Sequence, residues 1–143
     1  MLARAAATAV LISACLSAVA CGGSGPKLKN LRCRAAACQQ VEDPLMLKLS
    51  VDFEDPTGTL SAGELDLRVD GKTQSAIALR DVFTSQGLDL AAKSGTLQID
   101  DDLLLSQIKE GVTFNVSFLA TNGQGQDSNE PSLTFTVHLG VAR

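Results

Sequence analysis

A chain of 143 residues has the size of a single domain. With five Phe, no Trp and no Tyr, its core must be aliphatic, and it lacks the aromatic platforms on which sugars stack. All 16 acidic residues follow residue 41, where only 7 basic ones stand against them; the resulting net charge of −9 argues against nucleic acid as a partner.

The N-terminus opens with Arg4 and an uncharged apolar run from Ala5 to Ala20. That run is shorter than the ~20 residues a spanning helix needs. Gly22-Gly23-Ser24-Gly25-Pro26 follows it without the basic flank of a stop-transfer anchor. Residues 1–20 therefore read as a cleaved signal peptide. Residues 21–40 read as a flexible tether and 41–143 as the folded domain. Lys27, Lys29, Arg32 and Arg34 crowd into the tether. They suit either a solvated linker or a segment lying beside anionic lipid head groups.

Four cysteines, Cys15, Cys21, Cys33 and Cys38, stand in the first 38 residues. Leu16-Ser17-Ala18-Val19-Ala20-Cys21 resembles the lipobox of bacterial lipoproteins, although Ala18 stands where Leu is commonest. Ile12-Ser13-Ala14-Cys15 fits the same pattern. Cleavage at Cys15 would leave an apolar region of only about ten residues and three further thiols. Cleavage before Cys21 leaves one acylated cysteine and one pair, Cys33 and Cys38, expected as a disulfide outside the cytoplasm. On a regular helix cysteines five apart diverge by roughly 140°, so that bond requires a loop or broken turn. The resemblance implies a diacylglycerol thioether on Cys21, and Gly22 after it implies an outer-membrane address.

Alternation of period two dominates the rest, as half-buried antiparallel strands require. Leu45, Leu47, Leu49, Val51 and Phe53 form one set, and Leu65, Leu67 and Val69 a second. The turn signal Asp70-Gly71 leads to Ile77 and Leu79. Shorter sets follow at Leu88 and Leu90, then at Leu97 and Ile99. Val112, Phe114, Val116 and Phe118 precede a last set of Leu133, Phe135, Val137 and Leu139. Asp55-Pro56-Thr57-Gly58, Ser85-Gln86-Gly87, Lys93-Ser94-Gly95 and Asn122-Gly123-Gln124-Gly125 supply turns. Asp102–Lys109 reads as a short helix capped by Asp102. The expected fold is all-β, an antiparallel β-sandwich of about seven strands.

The stretch from Gly111 to Gly125, with Leu133–Val137, resembles the last hairpin of bacterial immunoglobulin-like and fibronectin-type-III-like domains. The core Trp and intersheet cysteine pair of many such domains are missing, and Phe114 stands about where a corner Tyr often lies.

Candidate chemistry is sparse. His138 is the only histidine, on the outward parity of its strand, and no nucleophile-elbow motif accompanies it. Asp52-Glu54-Asp55 and Asp100-Asp101-Asp102 are clusters that calcium could use. An EF-hand frame begun at Asp52 fails, with Thr57 at the sixth position and Gly63 at the twelfth. Paired-carboxylate glycoside chemistry lacks a cleft in so small a sandwich. No catalytic residue, resident metal or cofactor is expected. The expected function is a non-enzymatic binding or structural component of an envelope or surface assembly, held on the membrane through Cys21 and engaging another envelope protein. The alternative is a calcium- or ligand-binding lipoprotein.

Overall fold

In a computed structural model, the structure describes residues 25–34, 40–41, 46–102, 111–136 and 138–139. The signal peptide, Cys15, Cys21, Cys38 and most of the expected 102–109 helix lie outside these residues.

The strands are β1 (Lys27–Cys33), β2 (Gln40–Val41), β3 (Met46–Glu54), β4 (Glu64–Val69), β5 (Lys72–Ala78), β6 (Ser94–Asp102), β7 (Thr113–Thr121), β8 (Ser132–Thr136) and β9 (His138–Leu139). A 3-10 turn, Leu60–Ala62, precedes β4, and one helix, α1 (Leu79–Ser85), follows β5. One antiparallel sheet has the order β1-β3-β6 and the other β5-β4-β7-β8, while β2 and β9 form a short parallel ladder. The expected seven-stranded sandwich is thus present as three strands against four.

Strand parity explains the core. Leu47, Leu49, Val51 and Phe53 of β3 face Leu65 and Leu67 of β4 and Phe114, Val116 and Phe118 of β7 across the layers, all buried. All five Phe are buried, with Phe114 stacked on Phe135 at 5.6 Å between ring centroids. No aromatic ring is left for a surface platform. Asp70-Gly71 joins β4 to β5 with positive φ at both residues (50° and 78°), the type I′ geometry that matches strand twist.

Three expectations need correction. Residues 27–33 are not tether but β1, an edge strand paired with β3. Its alternation is hidden because the register shifts between Lys29 and Arg32, where Asn30 adopts φ 52°. This bulge brings Leu28 and Leu31, three apart, to the same buried face. Leu79 does not extend the β5 strand; it opens α1, which buries Leu79 and Phe83. Leu88 and Leu90 are not a strand either. Gly87 (φ 66°) ends α1, with Gly87 N–H donating to the Thr84 carbonyl and Leu88 N–H to the Phe83 carbonyl. This is a Schellman closure, and it packs Leu88 half-buried against the core.

Candidate interaction edge

Asp52 lies on the outer face of the three-stranded sheet and accepts from Asn30 Nδ2 (2.9 Å), Thr96 Oγ1 (2.8 Å) and Arg32 (3.1 Å). Those bonds, Asn30 first, lower its pKa from 3.8 to about 2. Glu54 pairs with Lys29 at 2.7 Å, and that hydrogen bond lowers its pKa also. Arg34 pairs with Asp100. Three of the four crowded basic residues are therefore matched to carboxylates of β3 and β6. They are paired along a sheet.

Asp55 is fully buried and accepts from Thr57 N–H (3.1 Å), Thr57 Oγ1 (2.7 Å) and Thr59 N–H (3.1 Å). It organises a turn. Asp101 accepts from Ser75 Oγ at 2.7 Å, tying β6 to β5. The two acidic clusters are thus spread over ion pairs and turn bonds. Among the described residues no group of three or more His, Cys, Asp or Glu could hold a metal ion. Cys33 ends β1, half-buried against the core, and Cys38 lies outside the described residues. The backbone of His138 pairs with Gln40.

The functional question becomes which main-chain edges remain open. In the three-stranded sheet both outer strands are capped by a side-chain amide acting as a one-residue mock strand. Asn129 donates from Nδ2 to the Leu28 carbonyl (2.8 Å), and its Oδ1 accepts from Leu28 N–H (2.7 Å). On β6, Gln86 donates from Nε2 to the Gln98 carbonyl (2.6 Å), and its Oε1 accepts from Gln98 N–H (3.0 Å). Each amide satisfies the donor and acceptor that an incoming strand would use there. Neither cap is legible in the sequence, because the partners lie 12 and 101 residues apart.

The four-stranded sheet is different. Its β8 edge is five residues long and leads into β9, which β2 already pairs. At the other edge β5 pairs with β4 alone among the described residues. Lys72, Thr73, Gln74, Ala76 and Ala78 of β5 are exposed, and Ser75 and Ile77 are half-buried. The register shift beside Gln74 and the charge of Lys72 guard the upper end. Ser75–Ala78 carries neither guard. Beside it, an open cleft of about 340 Å³ lies between β5, α1 and β6, lined by Arg34, Ile77, Val82, Gln98 and Asp101. An extended segment added to β5 would place alternate side chains in or over this cleft.

With β5 on β4 rather than β6, the three-plus-four order gives a sandwich of fibronectin-type-III-like fold. No family model and no curated protein matches the chain. Among solved structures it is similar to the fibronectin(III)-like modules of Clostridium thermocellum CbhA, at 18% identity and a TM-score of 0.47 over 80% of this chain and 47% of that one. It is also similar to the Clostridium perfringens spore cortex lytic enzyme SleM, at 11% identity and a TM-score of 0.46 over 78% of this chain and 28% of that one. The chain thus spans less than half the length of either.

Proposed function

We propose that this protein is a lipid-anchored binding or structural module of the bacterial envelope. It is acylated on Cys21, carries a Cys33–Cys38 disulfide, and engages another envelope or surface protein through the β5 edge. It performs no catalysis. The outer membrane is its address by the Gly22 rule. The observation that carries the binding reading is the asymmetry of the edges: amides cap both outer strands of one sheet, while among the described residues Ser75–Ala78 of β5 is left open.

Two experiments test this. Cys21→Ser should abolish lipid labelling; labelling that persists there and disappears only in Cys15→Ser would refute the anchor. A photo-activatable residue at Ala76 should cross-link one discrete envelope protein, whereas the same residue at Asn115, inside the four-stranded sheet, should not. Ser75→Lys with Ile77→Lys on the same edge should reduce recovery of that product in the Ala76 background at least tenfold. Equal cross-linking at Ala76 and Asn115 would refute the edge as the binding site.

A further inference from the structure

The turn after β7 holds the chain's one Asn-Gly pair. Of the asparagines Asn30, Asn115, Asn122 and Asn129, only Asn122 precedes a glycine. Tertiary packing demands that glycine. A Cβ on Gly123 would sit 2.9 Å from the Ala62 Cβ and 3.1 Å from the Thr59 carbonyl oxygen. The same lack of a side chain leaves the Gly123 nitrogen unshielded, and an unshielded nitrogen directly after an asparagine can attack that side-chain amide. A packing requirement has thus written a chemically labile pair into the fold.

In the folded chain the pair is held. Asn122 is 3% exposed. Its Oδ1 accepts from Gln124 N–H and Gln126 N–H, each at 3.0 Å, and its Nδ2 donates to Gln126 Oε1 at 3.0 Å. The bond from Gln124 makes an Asx-turn. In the main chain, Asn122 N–H donates to the Gln126 carbonyl (3.0 Å), Gly125 N–H to the Asn122 carbonyl (3.0 Å), and Gly123 N–H to the Thr59 carbonyl (2.9 Å). The two N–H groups on Oδ1 polarise the side-chain carbonyl and by themselves favour attack. What the fold withholds is the nucleophile. Loss of the Gly123 amide proton would leave an anionic nitrogen 2.9 Å from the Thr59 carbonyl oxygen, two negative atoms facing each other. Swinging the Asn122 side chain onto that nitrogen would also break its bonds to residues 124 and 126.

We infer that Asn122 is a deamidation site that folding closes, and that its reaction in the unfolded chain blocks the return to the native state. The co-reactant is water. A base takes the Gly123 amide proton, and the nitrogen bonds to the Asn122 side-chain carbonyl carbon. The bond from that carbon to Nδ2 breaks and ammonia leaves, giving a cyclic imide. Water then opens the ring at either carbonyl. Cleavage at the side-chain carbonyl gives aspartate, whereas cleavage at the main-chain carbonyl gives isoaspartate. Aspartate at 122 retains the acceptor for the N–H groups of residues 124 and 126. Isoaspartate lengthens the main chain between residues 122 and 123 by a carbon atom. The bonds from Asn122 N–H, Gly123 N–H and Gly125 N–H then cannot all be made, and the close fit of Gly123 against Ala62 is lost. The turn therefore records how long a chain has stayed unfolded.

The test incubates the full chain at one mildly alkaline pH and temperature, with and without denaturing urea. An Asn-Gly pair appended after Arg143 serves as a clock that folding does not guard. Peptide mapping by mass spectrometry follows both sites. Relative to the clock, position 122 should deamidate at least ~20-fold more slowly in native buffer than in urea, because only opened molecules react. The urea-aged chains are then refolded and the folded fraction is isolated. Isoaspartate at 122 should be depleted there at least ~fivefold relative to aspartate at 122, since the bonds lost are main-chain ones. Equal rates at 122 in native buffer and in urea would overturn the closure. Isoaspartate and aspartate recovered equally in the folded fraction would overturn the block on refolding.

Discussion

Replacing Gln86 tests whether a side-chain amide truly completes the β6 edge. Gln86→Ala removes the bonds to the Gln98 carbonyl and N–H, at 2.6 and 3.0 Å. A neutral intramolecular hydrogen bond is worth ~0.5–1.5 kcal/mol net. At an exposed edge water recovers part of each, so the pair should cost about 1 kcal/mol. For a domain of this size that lowers Tm by roughly 3–5 °C. Gln86→Glu is the sharper probe. Its second carboxylate oxygen would face the Gln98 carbonyl, so one bond becomes a repulsion and the variant should be no more stable than Gln86→Ala at pH 7. Folding then favours the neutral carboxyl and raises its pKa. As pH falls through that raised value towards the ordinary Glu value of ~4.3, the protonated group can donate again. Gln86→Glu should therefore gain on Gln86→Ala between about pH 6 and 4, in paired urea titrations at each pH. A Gln86→Glu protein as stable as wild type at pH 7, or a pH-independent difference between the variants, would refute the mock-strand reading.

Phe83→Ala should cost ~3–5 kcal/mol in urea unfolding, because Phe83 is fully buried and packs on Phe53 at 5.3 Å. Gly63→Ala should cost at least ~2 kcal/mol, since its Cβ would enter the Thr121 carbonyl of the neighbouring backbone. Gly71→Ala meets no neighbour within 4 Å and pays only for φ 78°, about 1 kcal/mol, so thermal melts should rank the two glycine variants clearly. The folded pKa of Asp52, about 2, lies below its ordinary value of 3.8, so its contribution is complete above about pH 4 and lost as pH falls towards 2. With the side chain 32% exposed, that contribution should stay below about 1 kcal/mol, and Asp52→Asn should flatten the acid limb of a stability–pH curve accordingly.

Much of this molecule follows from local pattern. Period-two alternation located β3, β4, β6, β7 and β8, because facing a core on one side imposes that spacing residue by residue. Asp70-Gly71 specified its own turn, since both positions need positive φ. The helix α1 was also locally written, in Leu79, Val82 and Phe83 at helical spacing with Gly87 as terminator, but the alternation at Ile77 and Leu79 pointed to a strand instead. The first strand was obscured for a different reason: one residue at φ 52° displaces Leu31 from the alternating pattern.

Long-range closure decided the rest. Lys29, Arg32 and Arg34 look like a free basic cluster along the chain, and only the pairing of β1 with β3 brings Glu54, Asp52 and Asp100 to meet them. Asn129 and Gln86 are ordinary loop amides in sequence; they become edge caps because the sandwich carries them to Leu28 and Gln98. The lipobox-like run ending at Cys21 is the reverse case, a pattern read wholly from the sequence and lying outside the described residues. A motif needs only its neighbours, whereas an ion pair or an edge cap depends on where the folded chain places residues far apart.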